Sequence, residues 1–201
     1  MPCAKLADGV PVVIQLKEEN EFKLTAEELE AAITPRSKIL VMPFPNNPTG
    51  SVMTEEDLRP LVDVIIRHDL FVVSDEIYSE LTYQGDHVSI ASFPGMKERT
   101  VVINGFSKGF AMTGWRLGYA CGPREILEQM TKIHQYVIMC APTTSHAAAV
   151  EGRRNCQNAV PEMREAYDQS RRFLLHEFQR MGLQCFEPFG AFYMFPSIKE
   201  F

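Results

Sequence analysis

Two periods of apolar residues alternate along the first two thirds of the chain. Lys38-Ile-Leu-Val-Met42, Leu70-Phe-Val-Val-Ser74 and Thr100-Val-Val-Ile103 are short apolar runs rich in β-branched residues. Such runs predict strands of a parallel sheet covered by helices on both faces. Thr25–Ile33 and Thr54–Ile66 have helical spacing instead. Thr25 is placed to cap the first of these, with Glu28 three residues on as its capping-box partner. Thr54 caps the second, acids fill its first turn, and Leu58, Leu61, Val62, Ile65 and Ile66 share one face. Pro11–Leu16 and Tyr119–Cys121 read as two further short strands.

After Pro123 the pattern turns helical, roughly Arg124–Met139 and Thr143–Gln157. A third helix starts near Pro161, with Met163, Ala166, Tyr167, Ser170, Phe173, Leu174, Phe178 and Met181 on one face and Gly182 ending it. Leu183–Phe186 and Ala191–Phe195 read as strands joined by a turn at Glu187–Gly190. The expected class is α/β: a mostly parallel sheet covered by helices over 1–140, a helical connection over 141–160, and the start of a smaller α+β unit over 161–201. A strand pair with one helix cannot close a core of its own. Met1–Leu6 looks like the middle of a helix, so both ends of the chain are expected to be cut.

Composition changes this picture little. With 45% hydrophobic and 23% charged residues, the 201-residue chain reads as an ordinary globular protein of one or two domains. A net charge of −6 is opposite in sign to a nucleic-acid footprint. No run has the length and apolarity of a membrane span, and the N-terminus lacks a signal-peptide core. The five cysteines are widely spaced, none in a C-x-x-C pair, which fits reduced thiols in the cytoplasm. Neither they nor the five scattered histidines have metal-ligand spacing.

The candidate chemistry lies just past the carboxyl ends of the strands, where an open α/β sheet binds its ligands. Asn46-Asn-Pro-Thr-Gly50 follows the first predicted buried strand and Ser74-Asp-Glu-Ile-Tyr78 the second. Ser107-Lys108 follows the third, with Arg116 eight positions beyond the lysine. Each piece has a plain structural reading as well: a turn at Asn47, a helix cap at Asp75, a buried phenol at Tyr78, a salt bridge at Arg116. Lys108 is unusual for a solvated charge, because Phe106, Gly109 and Phe110 surround it. Together the pieces place an amide, a carboxylate, a phenol, a hydroxyl, an amine and a guanidinium at one end of one sheet. That set suits an aromatic ligand with a ring nitrogen, a phenolic oxygen, an aldehyde and a phosphate.

The same segments, with Gly114-Trp-Arg-Leu-Gly118 and Pro188-Phe-Gly-Ala-Phe-Tyr193, resemble the fold-type-I pyridoxal-phosphate enzymes, specifically the class I/II aminotransferases, in order and spacing. The resemblance implies pyridoxal 5'-phosphate as cofactor and Lys108 as the Schiff-base lysine. It implies that Asp75 pairs with the pyridine nitrogen, that Asn47 and Tyr78 hydrogen-bond the phenolic oxygen, and that Ser107 and Arg116 hold the phosphate. Lys108, Asp75 and Tyr78 are the catalytic candidates. The implied partners are an amino acid and a 2-keto acid, with no nucleic acid and no membrane, in a homodimer. The family's phosphate loop, ring-stacking aromatic residue and carboxylate-binding arginine find no match here, so the chain alone is expected to be inactive. Two other activities suit the same scaffold: a carbon–sulfur β-lyase and the ligand-sensing domain of a transcription regulator.

Overall fold

The structure, a computed structural model, describes residues 2–199. A four-stranded sheet is built from β1 (Ile39–Pro43), β2 (Phe71–Asp75), β3 (Thr100–Gly105) and β4 (Gly118–Cys121), in the spatial order β1-β2-β3-β4. β1, β2 and β3 run parallel, with Leu40 opposite Val72 and Val73 opposite Val101. β4 turns back antiparallel to β3, pairing Gly105 with Gly118. The three buried runs thus become strands as expected, and the Tyr119–Cys121 run becomes an antiparallel edge.

Local chemistry sets the helices between them. α2 (Ala26–Ala32) begins at Thr25 with the capping box to Glu28 in place. α3 (Glu55–Arg67) begins at Thr54, where Asp57 completes an equivalent box. Each box satisfies backbone donors that would otherwise lack partners at the helix start. α3 turns Leu58, Leu61, Val62, Val64 and Ile65 inward onto Leu40, Met42 and Val72. That layer, with Leu24, Leu29, Leu70, Ile90, Phe93 and Met96, is the main core.

The opposite face of the sheet departs from the expectation of two covered faces. Ile39 and Val41 are 63% and 62% exposed, and Ile103 is also exposed. α5 (Arg124–Val137) buries none of its residues. α6 (Thr143–Asn155) touches the strand region through Ser145, whose hydroxyl donates to the Trp115 carbonyl at 2.6 Å. Cover on this face is uneven: Val101 is buried and Phe71 and Val73 are half-buried, while the β1 side chains lie open.

Three further expectations change. Pro11–Leu16 is not a strand. It has no neighbour to pair with, so Ile14 and Leu16 pack on the core while Val12 and Val13 stay exposed. Leu183–Phe186 and Ala191–Phe195 form no ladder either, only single bridges, Cys185 to Pro196 and Thr82 to Gly190. Ala191 has a positive φ of 57°, which breaks an extended run, and the turn falls at Ala191–Phe192 rather than Glu187–Gly190. α7 (Ala159–Arg180) is one long helix, but its inward stripe differs from the expected one. Phe173, Leu174 and Met181 are exposed, whereas Met163 and Tyr167 pack against Tyr78 and Leu81, and Leu175 is buried. Pro2–Leu6 form the short helix α1, and Met1 lies outside the described residues.

Candidate active site

The loop after β1 is rigid because it binds itself. Asn46 accepts from the Thr49 hydroxyl at 3.0 Å, its amide N–H donates to the Ser51 carbonyl, and Gly50 closes the turn with φ of 74°. Both Phe44-Pro45 and Asn47-Pro48 are cis. Asn47 projects from the turn and is exposed.

The exit of β2 sorts its side chains by strand alternation. Ser74, Glu76 and Tyr78 are buried, and Asp75 and Ile77 are half-buried between them. The Asp75 carboxylate accepts from the Ile77 amide at 3.2 Å. The Tyr78 ring lies beneath Phe192 and Tyr193, edge to face at 5.4 and 5.7 Å.

β3 runs into α4 (Phe106–Gly109), which carries Ser107 and Lys108. The Lys108 Nζ lies 5.5 Å from the centre of the Tyr78 ring and 5.0 Å from that of Phe192. No carboxylate pairs with it among the described residues. Both distances lie within the range over which an aromatic face attracts a lysine side chain and so fixes its direction.

The C-terminal segment closes the cluster. Tyr193 Oη lies 2.6 Å from Tyr78 Oη and accepts from Asn47 Nδ2 at 3.2 Å. Burial raises the Tyr78 pKa well above the ordinary phenol value, and the bond to Tyr193 adds to the shift, so the Tyr78 phenol is neutral at physiological pH. Tyr193 escapes a local reading because it lies 146 residues from Asn47 and 115 from Tyr78 in the chain. Its only trace in sequence is the Pro188–Tyr193 motif.

The structure thus brings together Asn47, Tyr78 and Lys108, with Asp75 close enough to act on the Tyr78 phenol electrostatically. Ser107 stands beside Lys108 on α4. Arg116 is not drawn in: its side chain is exposed and, among the described residues, donates only to the Thr113 carbonyl, at 3.0 Å. A cleft of about 400 Å³ lined by Phe106, Tyr119, His146 and Arg153 opens elsewhere and shares no residue with the cluster.

These residues fit pyridoxal phosphate, and the Tyr193 phenol tests the fit. A phenolic oxygen sits between the Asn47 amide and the Tyr78 hydroxyl, so that pair is already spaced to hold such an oxygen.

Comparison with known proteins agrees. Residues 2–200 match the family described as aminotransferase class I and II. The chain belongs to that family. It is 45% identical, over 99% of its length, to an aspartate aminotransferase of Pyrococcus abyssi. It is 44% identical over the same share to aromatic-amino-acid aminotransferase 2 of Thermococcus litoralis. The crystal structure of the aromatic aminotransferase of Pyrococcus horikoshii superimposes on 99% of the chain with a TM-score of 0.96 at 43% identity. The chain spans about half the length of these relatives: 52% of each of the first two and 54% of the third. The fold is therefore the fold type I of pyridoxal-phosphate-dependent aminotransferases, and pyridoxal phosphate is the family's cofactor. Among the described residues no helix is long and apolar enough to cross a membrane.

Proposed function

We propose that this chain supplies the cofactor-holding part of an enzyme that moves an amino group between an amino acid and a 2-keto acid. The observation that carries the reading is the convergence on Lys108. Its amine rests on the rings of Tyr78 and Phe192, beside a phenol oxygen held by Asn47 and Tyr78.

When bound, pyridoxal phosphate supplies an aldehyde that condenses with amines and a ring that draws electrons from the adjoining carbon. The roles of the chain's own residues follow from their chemistry. Lys108 Nζ is the amine that anchors the cofactor. Once freed, it takes the proton from the substrate α-carbon and returns it elsewhere, as general base and then acid. Asp75 keeps a proton on the ring nitrogen by pairing with it. Asn47 and Tyr78 hydrogen-bond the phenolic oxygen. Ser107 and Arg116 take the phosphate, for which a guanidinium fork is well shaped. The reading includes a cytoplasmic homodimer. What supports further assembly is the apolar surface left in water on the sheet and along Ile133, Tyr136, Val137, Ile138 and Met139.

The test is borohydride reduction after incubation with pyridoxal phosphate, followed by peptide mass spectrometry. Lys108 is expected to carry the reduced adduct, and Lys108→Ala to carry none at that peptide. An unmodified Lys108 in the whole protein overturns the assignment. The relatives' names make aspartate and the aromatic amino acids the first donors to assay, each with a keto-acid acceptor.

A further inference from the structure

One buried carboxylate has no role in the chemistry above. Glu76 follows Asp75 directly, yet it is only 5% exposed. Its carboxylate accepts from the Ser74 hydroxyl at 2.9 Å, from the Ser89 hydroxyl at 2.6 Å and from His87 Nε2 at 2.9 Å. Ser74 and His87 line the same small void as Met42, Phe44, Met53, Leu58, Val88 and Ile90, so the network is set among apolar side chains. A carboxylate in such a place costs more than an apolar side chain of similar size would. Filling space therefore does not explain it.

Its backbone is tied as firmly as its side chain. The Glu76 amide donates to the Ile103 carbonyl at 2.8 Å, carrying the β2–β3 ladder one residue past Asp75. The Glu76 carbonyl accepts from the Ser79 amide at 2.9 Å. Strand alternation sends Asp75 and Glu76 to opposite faces of the sheet. Fixing Glu76 from below therefore fixes the direction of Asp75 above. The Ser89 and His87 bonds recruit a separate loop to that end, across 13 and 11 residues of chain.

We propose that Glu76, clamped by His87, Ser89 and Ser74, is a positioning residue that aims Asp75 at the ring nitrogen of the cofactor. The proposal rests on the reading of Asp75 given above. Ion pairing by Asp75 keeps the ring nitrogen protonated, and a carboxylate that swings away loses that hold steeply with distance. Glu76 touches neither cofactor nor substrate.

The experiment is a nitrogen-15 spectrum of the whole protein loaded with ring-labelled pyridoxal phosphate, recorded for wild type, Asp75→Asn, Glu76→Leu and Leu61→Ala. Wild type is expected to show a protonated ring nitrogen, and Asp75→Asn a neutral one. Glu76→Leu is expected to move the ring-nitrogen pKa down by on the order of one unit, a tenfold shift. Leu61→Ala, a core truncation away from that void, is expected to lower Tm and leave the signal in place, which separates positioning from plain stability. Should Glu76→Leu fail to fold, Glu76→Gln keeps the volume and the serine contacts but drops the charge facing His87. It is expected to give a smaller shift in the same direction. A wild-type signal in whichever Glu76 variant folds, with Asp75→Asn shifted, overturns the positioning role. A wild-type signal in Asp75→Asn overturns the reading of Asp75 instead.

Discussion

The contact between Gly50 and the 188–190 segment is the joint that carries Phe192 and Tyr193 to the Lys108 site, and three glycines allow its cost to be measured. Gly50 has φ of 74°, and a Cβ there would stand 2.3 Å from Pro188 Cβ and 2.9 Å from the Gly190 carbonyl oxygen. Gly85 has nearly the same φ, 70°, but a Cβ there would meet nothing within 4 Å. A Cβ on Gly190, outside the left-handed region, would stand 2.5 Å from Pro45 Cβ and 2.6 Å from Val52 Cγ1. Gly85→Ala therefore reads conformational strain alone, about 1–2 kcal/mol. Gly190→Ala reads overpacking alone, about 1–3 kcal/mol. Gly50→Ala carries both, so roughly 2–5 kcal/mol is expected, the sum of the two. The Gly50 carbonyl also accepts from the Phe189 and Gly190 amides at 3.1 and 2.8 Å, so displacing this joint moves Tyr193 with it. Equilibrium urea unfolding of the three variants gives the energies. Retention of pyridoxal phosphate after gel filtration reports the site, and is expected to fall for Gly50→Ala and Gly190→Ala but not for Gly85→Ala. A Gly50→Ala protein no less stable than Gly85→Ala would refute the reasoning.

Two other outcomes test the surroundings of the site. Burial pushes the Glu76 carboxyl upward, but hydrogen bonds from His87 and Ser89 outweigh it, so its pKa lies below the usual carboxylate value. A depressed carboxyl stabilises the fold fully above its unfolded pKa of about 4.3 and loses that contribution as the pH falls through the lower folded value. Tm measured from pH 6 to 3 should therefore fall more steeply for wild type than for Glu76→Gln, and parallel curves would rule this out. Arg171 is 10% exposed at its side chain, is paired with Asp168 at 2.7 Å and Glu187 at 2.9 Å, and is stacked over the rings of Tyr83 and Phe189. Arg171→Ala should destabilise by about 3 kcal/mol in urea unfolding, with Arg171→Lys in between, because lysine lacks the fork that reaches both acids. A loss below 1 kcal/mol would show that α7 holds the 187–190 segment by other means.

What was legible in the sequence had its cause within a few residues. The caps at Thr25 and Thr54 have partners three positions away, and β1, β2 and β3 are too apolar to lie anywhere but in a sheet. The motifs after those strands fall at one end of the sheet because parallel strands share a direction. Where the cause was distant, the reading failed or stayed silent. Pro11–Leu16 has strand residues but no partner strand, and the 183–195 region is shaped by loops that it touches. The stripe of α7 hides Arg171 at its centre, four residues from Tyr167 and four from Leu175, where a charge reads as a solvated face.

By itself, the sequence determined the α/β class, the parallel strands and the lysine that follows the third of them, since pattern and cap chemistry act locally. Only the tertiary structure decided that a phenol from residue 193 sits between Asn47 and Tyr78, that Glu76 is clamped beneath Asp75, and that Ile39 and Val41 lie uncovered on one face of the sheet. Those are matters of which distant segments meet. Apolar periodicity says that a surface must be covered, and chain geometry says by what.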